Sequence, residues 1–321
     1  MSCMVSVIIP TYMRNLAFLR RSVDSVINQT YNNIEIVVVD DSPEDYEERA
    51  LIADYIQSVK FDGSILYIQN EKSVGGSIAR NNGIFAAHGE YITFLDDDDE
   101  YMPDKIKNQV EFMIENDCDL SFSNMILYNS AGKVVDYRDH KGISDFSNET
   151  LLKYHLTKNL SGTPTFMFKT EKLREIGGFT DVKMGQDFYI MLNAIESGLK
   201  IGYCNTCDIR VYKHSNGGIS QGRNKITGEK NLYNFKKNYF DILSNKEKKY
   251  VRFRHYAVMA VAYKRNKRAI SMIGSGFAAF FSSPSDCINE LTGFLKNVSD
   301  ERKNDTNFEL KNEEIRETVT K

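Results

Sequence analysis

Short apolar runs alternate with amphipathic helical patterns through the N-terminal third of the chain. The apolar runs predict strands at Val5–Ile9, Ile34–Val39, Ile65–Gln69 and Tyr91–Leu95. The intervening segments have helical spacing, at Leu16–Gln29, Tyr46–Lys60 and Ile78–His88. Strands that alternate with helices in this way are typical of an α/β protein with an open sheet of mostly parallel strands.

Polar side chains follow each predicted strand at its C-terminal end. These residues are Thr11 and Tyr12, Asp40 and Asp41, Asn70, and the four consecutive aspartates Asp96–Asp99. Open parallel sheets bind ligands along this edge, so we expect these groups to lie in one site.

The aspartate run is the strongest chemical signal in the sequence. Carboxylates this close together repel one another, and a bound cation relieves the repulsion. Oxygen ligands suit Mg²⁺ or Mn²⁺, which often also bind substrate phosphates. The alternative is a solvated acidic loop that caps a helix beginning near Pro103.

The usual phosphate-binding loops are missing. No GxxxxGK[ST] occurs, and Val74–Ser77 with Gly83 downstream does not make GxGxxG. Any phosphates would therefore be held by a metal ion and basic side chains.

Four ordered blocks resemble those of family 2 glycosyltransferases: Val5–Tyr12, Val38–Ser42, Ala79–Gly83 and Gly89–Asp99. The resemblance extends over about 5–220. It implies a GT-A fold, which is a Rossmann-like mixed sheet with helices on both faces. It also implies a nucleotide-diphosphate sugar donor, a UDP-sugar in our interpretation, with Mn²⁺ or Mg²⁺ as cofactor and inversion at the anomeric carbon.

Carried over by position, the resemblance assigns nucleotide-binding residues in the first three blocks and at Asn70. Pro10 and Tyr12 match positions that line the nucleobase pocket. Asp41 matches the carboxylate that accepts from the uracil ring N–H. Asn70 and Arg80 align with further nucleotide contacts.

The next assignments concern the metal ion and the donor. Asp96 and Asp98 match the outer positions of the DxD motif and are the predicted metal ligands, while Asp96 and Asp97 are also predicted to contact the donor. His214 resembles a histidine that reaches the metal or diphosphate in some relatives, although a surface histidine would look the same.

A further block, Gly177–Phe179 followed by Gly185–Phe188, resembles the one that carries the catalytic base, for which Asp187 is the candidate. The family usually has Glu before this Asp, but Gln186 stands here. The alternative is that Asp187 only caps its helix.

Charge divides the 321-residue chain. The net charge is −3, yet residues 223–268 contain 14 Lys and Arg against three acidic residues. We therefore predict a catalytic domain at 1–220, a basic helical extension at 221–298 and a charged, disordered tail at 299–321. No signal peptide or membrane span is evident and cysteines are sparse, so a cytoplasmic location is expected.

The basic extension has two interpretations. Its apolar stretches could pack on the catalytic domain or a second subunit, which we favour for most of them, and part of its charge could contact an anionic membrane. No nucleic-acid-binding module is apparent.

The sequence predicts a metal-dependent inverting glycosyltransferase that acts on a saccharide or lipid-linked acceptor in surface polysaccharide synthesis, such as O-antigen or capsule. Two alternatives remain at this point. One is a Mg²⁺-dependent phosphatase or nucleotidyltransferase, and the other is a catalytically silent sugar-nucleotide-binding subunit.

Overall fold

The computed structural model describes residues 3–129, 132–160, 162–213, 222–290 and 292. The chain divides into two compact units. The first consists of Met1–Leu152 and Leu160–Ser215, and the second of Lys153–Asn159 and Asn216–Lys321. The sequence placed the boundary at 220/221, and the predicted tail at 299–321 lies outside the described residues.

The first unit is built on a seven-stranded sheet with the order β10-β6-β9-β4-β1-β2-β3. Its strands are β1 (Val5–Thr11), β2 (Ile34–Asp40), β3 (Ser64–Gln69), β4 (Tyr91–Phe94), β6 (Leu120–Phe122), β9 (Met167–Lys169) and β10 (Ile201–Tyr203). All pairs are parallel except those of β9, which runs antiparallel between β4 and β6. The sheet is therefore mixed, as predicted.

The strand register explains why polar groups gather at one edge. Thr11 of β1 pairs with Asp40 of β2, and Asp40 pairs with Gln69 of β3. Every residue of β2 is buried, because the sheet is covered on both faces. Side chains of these strands can therefore reach a ligand only where the strands end. Asp41 and Asn70 come directly after those ends.

A second, four-stranded sheet has the order β5-β11-β7-β8. It consists of β5 (Glu100–Tyr101), β7 (Met125–Tyr128), β8 (Val134–Arg138) and β11 (Ile209–Tyr212). Because β5 begins directly after Asp99, this sheet fixes the far end of the aspartate run.

The helices of the first unit flank the large sheet. They are α1 (Leu16–Ile27), α2 (Arg49–Ser58), α3 (Gly76–Ala86), α4 (Lys105–Glu115), α6 (Thr170–Glu175) and α7 (Gln186–Glu196), with α5 (Asn148–Lys158) running into the second unit. Helix α3 packs tightly, since a Cβ on Gly83 would lie 2.7 Å from the Ile8 side chain of β1.

The second unit is helical, as predicted. It contains α8 (Gly222–Lys236), a 3-10 helix (Lys237–Ile242), α9 (Asn245–Arg265) and α10 (Ala269–Ser282). Helix α8 begins at Gly222, next to the predicted start of the helical extension at 221. Within the described residues, no helix is both long and apolar enough to cross a membrane.

Candidate active site at the strand ends

The four aspartates after β4 alternate in exposure. Asp97 and Asp99 are buried, at 5% and 3% exposed, whereas Asp96 and Asp98 are partly exposed. The run forms a turn after β4, closed by a hydrogen bond from the Asp99 N–H to the Asp96 carbonyl oxygen at 3.1 Å. Only the two outer positions of the predicted DxD motif face a possible ligand.

The two buried aspartates are held by protein groups. Asp97 accepts hydrogen bonds from Thr11 Oγ1 at 2.7 Å and Arg14 Nε at 2.9 Å, and Asp99 accepts from the Tyr212 backbone N–H at 2.9 Å. Burial raises the pKa of Asp97 to about 7 although Arg14 opposes this, and burial also raises the pKa of Asp99. These contacts anchor the run to β1 and β11, so the predicted donor contact of Asp97 stays a prediction.

Each outer aspartate is paired with an arginine. Arg80 forms an ion pair with Asp96, and Arg14 Nη2 lies 3.0 Å from Asp98 Oδ2. Ser22 Oγ donates to the carbonyl oxygens of Asp96 and Asp99, which fixes the backbone of the run. The local negative charge is therefore opposed on the protein side by two guanidinium groups.

Asp96 and Asp98 also suit a metal ion that takes some of its ligands from the protein and the others from a substrate. The described residues contain no group of three or more His, Cys, Asp or Glu side chains arranged to hold a metal ion. Mg²⁺ commonly binds through one or two carboxylates and completes its shell with water and substrate phosphates. Asp96 and Asp98 fit such a site, and His214 lies outside the described residues.

The predicted nucleobase pocket lies between β1, β2 and the loop after β3. The Tyr12 side chain is 53% exposed, Pro10 is partly buried, and Asp41 is 3% exposed. The Asp41 carboxylate accepts four hydrogen bonds, from Asn70 Nδ2 at 2.7 Å, Ser73 Oγ at 3.0 Å, Val74 N at 2.8 Å and Gly75 N at 2.8 Å. A carboxylate has about four acceptor sites, so Asp41 shapes this loop through all of them.

Three consecutive residues of α3 connect the parts of the site. Arg80 pairs with Asp96 and donates from Nη1 to Gln186 Oε1 at 2.7 Å. Asn81 exchanges two 2.8 Å hydrogen bonds with the backbone of Phe179, and Asn82 donates to Asn70 Oδ1 at 2.9 Å. One turn of helix therefore links the nucleobase pocket, the aspartate run and the start of α7.

The predicted base lies at that start of α7. Gly185 precedes the helix with φ 79°, and Asp187 is in the first turn, partly exposed. Through Arg80, its neighbour Gln186 is connected to Asp96. The predicted base is therefore adjacent in sequence to Gln186, which shares Arg80 with the predicted metal ligand Asp96.

The model of the family described as "Glycosyl transferase family 2" matches residues 6–177, more than half of the chain. The chain belongs to glycosyl transferase family 2. Membership confirms the resemblance and removes the phosphatase or nucleotidyltransferase alternative.

Two relatives of this family 2 glycosyltransferase cover most of its length. TuaG of Bacillus subtilis, a putative teichuronic acid biosynthesis glycosyltransferase, is 30% identical over 221 residues, which are 68% of this chain and 82% of TuaG. WcaA of Escherichia coli, a putative colanic acid biosynthesis glycosyl transferase, is 29% identical over 278 residues, 83% of this chain and 89% of WcaA.

Solved structures of similar fold include S. aureus TarS residues 1–349 in complex with UDP-GlcNAc. It superimposes with a TM-score of 0.57 at 17% sequence identity, over 87% of this chain and 91% of that one. The likeness confirms that the family 2 chain has a GT-A fold.

Sequence reasoning missed several residues of this family 2 site. Arg14, Asn81 and Asn82 make the contacts that hold it together, yet none was assigned a role. Asn81 and Asn82 lie in the motif block Ala79–Gly83, but their partners Phe179 and Asn70 are 98 and 12 residues away in the chain. Arg14 follows Thr11 by three residues, and only its proximity to Asp97 reveals its function.

Proposed function

We propose that this glycosyltransferase moves a sugar from a UDP-sugar to a hydroxyl group of a saccharide or lipid-linked acceptor, with inversion at the anomeric carbon and with a divalent metal. The observation that carries the proposal is the connection made by Arg80. It ties Asp96 at the exposed side of the aspartate run to the first turn of α7, where Asp187 lies. Transfer needs one group that helps to hold the leaving diphosphate and another that activates the attacking hydroxyl, and both must lie at one reaction centre.

A uridine nucleotide suits the pocket at Tyr12 and Asp41. The exposed Tyr12 ring offers an apolar face on which a base can stack. Uracil N3–H would bind Asp41 by sharing or displacing one of its four present donors. TarS, which shares the fold, forms a complex with UDP-GlcNAc and one with UDP.

The metal would be Mn²⁺ or Mg²⁺, held by Asp96, Asp98 and the diphosphate, with His214 as a further proposed ligand. When bound, it offsets the negative charge that develops on the departing diphosphate. Arg80 and Arg14 assist by keeping Asp96 and Asp98 oriented.

Asp187 acts as the general base in this proposal. It removes the proton of the acceptor hydroxyl as that oxygen attacks C1 from the face opposite the diphosphate. Gln186 cannot add a second negative charge beside it, and its amide oxygen instead accepts from Arg80. Water must be excluded from the reaction centre, because it would hydrolyse the donor.

The relatives' names indicate the acceptor class. TuaG and WcaA are named for teichuronic and colanic acid biosynthesis, and both are surface polysaccharides. We therefore place this enzyme in surface polysaccharide synthesis, at the cytoplasmic side of the membrane. Part of the basic charge of residues 223–268 would contact the anionic surface there.

Thermal unfolding with nucleotides tests the donor and the metal together. UDP, GDP and CMP are added in turn, each with Mn²⁺, with Mg²⁺ and with EDTA. A ligand at about 100 times its dissociation constant adds about 2.7 kcal/mol of stability. We expect stabilisation by UDP that requires metal. A preference for GDP would remove Asp41 as a reader of uracil, and no response to any nucleotide would contradict a nucleotide-sugar donor.

A further inference from the structure

Apart from Met272, helix α10 presents small side chains to the helix it packs on. It lies along α9, and Ala279 is its one buried residue among those described. Met272, Ser275 and Ser282, which share the face of Ala279 at helical spacing, are only partly exposed. This face supplies little apolar area, although α10 is among the most apolar segments of the chain.

The large apolar side chains of α10 are on the opposite face. Ile270 is 89% exposed, Phe281 76%, Phe277 63% and Ile273 53%. They recur every three or four residues, so they form one stripe along the helix. The sequence favoured packing for most apolar residues of this region. Met259 and Ala262 of α9 are buried, as packing requires, whereas this stripe is exposed in the single chain.

Cations are concentrated at the beginning of this stripe. Lys264, Arg265, Lys267 and Arg268 are all exposed and occupy the end of α9 and the turn before α10. Helix α10 itself has no charged residue between Ala269 and Ser282. An apolar stripe next to a cation cluster matches the two layers of an anionic membrane surface, acyl chains and acidic headgroups.

The length of α10 determines how it could meet a membrane. At 14 residues it is about 21 Å long, shorter than the roughly 30 Å hydrocarbon core of a bilayer. It can therefore lie in the interface but cannot cross the bilayer.

We infer that α10 is an interfacial anchor, in which Ile270, Ile273, Phe277 and Phe281 insert into an anionic membrane surface while the preceding cations bind its acidic headgroups. The inference deepens the proposed function, since it brings the enzyme to the surface where a lipid-linked acceptor is found. A second copy of the chain is the competing occupant of the stripe. The cation cluster favours lipid, because an anionic surface neutralises it.

Vesicle binding by the full chain tests the inference. Vesicles of phosphatidylcholine alone are compared with an equal-parts mixture of phosphatidylcholine and phosphatidylglycerol, at about 50 mM and about 500 mM salt. We expect binding to the anionic vesicles only, weakened by salt. The double variant Phe277→Ser, Phe281→Ser should lose it, while Phe85→Ser, which changes an exposed phenylalanine of the first unit, should keep it.

The charge is tested with matched triple variants. Each cation near a membrane contributes about fivefold to binding, so Lys264→Gln, Arg265→Gln, Arg268→Gln together should weaken vesicle binding about 100-fold. Lys246→Gln, Lys248→Gln, Lys249→Gln, at the other end of α9, removes the same charge and should weaken it less than tenfold.

Three results would overturn the inference. The first is no binding to anionic vesicles. The second is binding by the Phe277→Ser, Phe281→Ser variant that equals binding by the unchanged protein. The third is a dimer that does not bind lipid and that the same variant disrupts. Stabilisation by UDP is measured on the same variants and should not change. A failed nucleotide response with intact vesicle binding would reject the proposed function alone, and the reverse result would reject only the anchor.

Discussion

The two units of the molecule use their cationic side chains in opposite ways. In the first unit Arg80 is 9% exposed and Lys105 is 2% exposed, and each has defined partners, an ion pair for Arg80 and hydroxyl groups for Lys105. In the second unit Lys264, Arg265 and Arg268 are exposed beside an outward-facing apolar stripe. The same residue types therefore organise a site in one unit and present a surface in the other.

The two environments determine which measurement reports on each cation. A buried charge is strongly coupled to its partner and only weakly screened by salt, whereas an exposed charge is screened and replaceable. Changes in the first unit should alter turnover or stability. Changes in the second should alter association with anionic surfaces and leave both nearly unchanged.

The largest effect expected in the first unit is on chemistry. Asp187→Asn should lower kcat about 1,000-fold, because the amide cannot take the acceptor proton. Binding of UDP, measured by its effect on thermal unfolding, should be retained. Asp181→Asn, which changes an exposed acid shortly before α7, is the control and should keep full activity. An active Asp187→Asn enzyme would exclude Asp187 as the base.

The next effect concerns the buried cation that joins the parts of the site. Arg80→Lys should lower kcat about 100-fold, since a lysine lacks the planar fork that reaches Asp96 and Gln186 together. The loss should be nearly independent of salt. Gln186→Glu restores the residue usual in the family and keeps an acceptor for Arg80, so it should retain activity. A wild-type rate for Arg80→Lys would contradict the linking role.

Much of the fold could be predicted because its strands are local patterns. The runs that became β1, β2 and β4 are apolar and end in polar residues, so both the sheet and its functional edge were evident. The three-residue β9 carries too little pattern to reveal that it inserts antiparallel between β4 and β6. Its position depends on pairing across distant segments.

The site was predictable to the extent that its chemistry is local. The aspartate run and Asp41 were found from strand ends and motif blocks. The Asn81–Phe179 contact spans 98 residues, and nothing in either segment indicates the other. For α10 the sequence predicted a basic helical extension with apolar stretches, but it does not say which face of the helix is turned inward. Only the packing on α9 decides that.

Acid should affect the first unit through a buried histidine. Burial lowers the pKa of His140, which packs against Phe122 and Tyr203, to about 4. Between the usual value of about 6.5 and 4 the unfolded chain takes up a proton that the native state does not, so stability falls as pH falls. His140→Phe should therefore reduce the loss between pH 7 and about 4.5 by about 2 kcal/mol, measured by denaturant unfolding. Parallel pH profiles for the two proteins would contradict this.

The smallest effect compares a buried with an exposed lysine on one helix. Lys105 Nζ donates to Thr93 Oγ1 and, at 3.1 Å, to the Tyr101 hydroxyl, and burial lowers the pKa of Lys105 well below its usual range. Both hydroxyls also donate to backbone carbonyls, so removing the amine leaves neither without a partner.

Lys105→Met should therefore stabilise the protein by about 1 kcal/mol, because it removes a desolvated amine and keeps the packing volume. Lys107→Met removes an exposed lysine from the same helix and should change the free energy of unfolding by less than about 0.5 kcal/mol. The gain should increase as pH falls below the usual pKa of lysine, because the unfolded chain then takes up a proton at Lys105 that the native state does not. A destabilised Lys105→Met protein would show that the buried amine contributes more through its hydrogen bonds than it loses through desolvation.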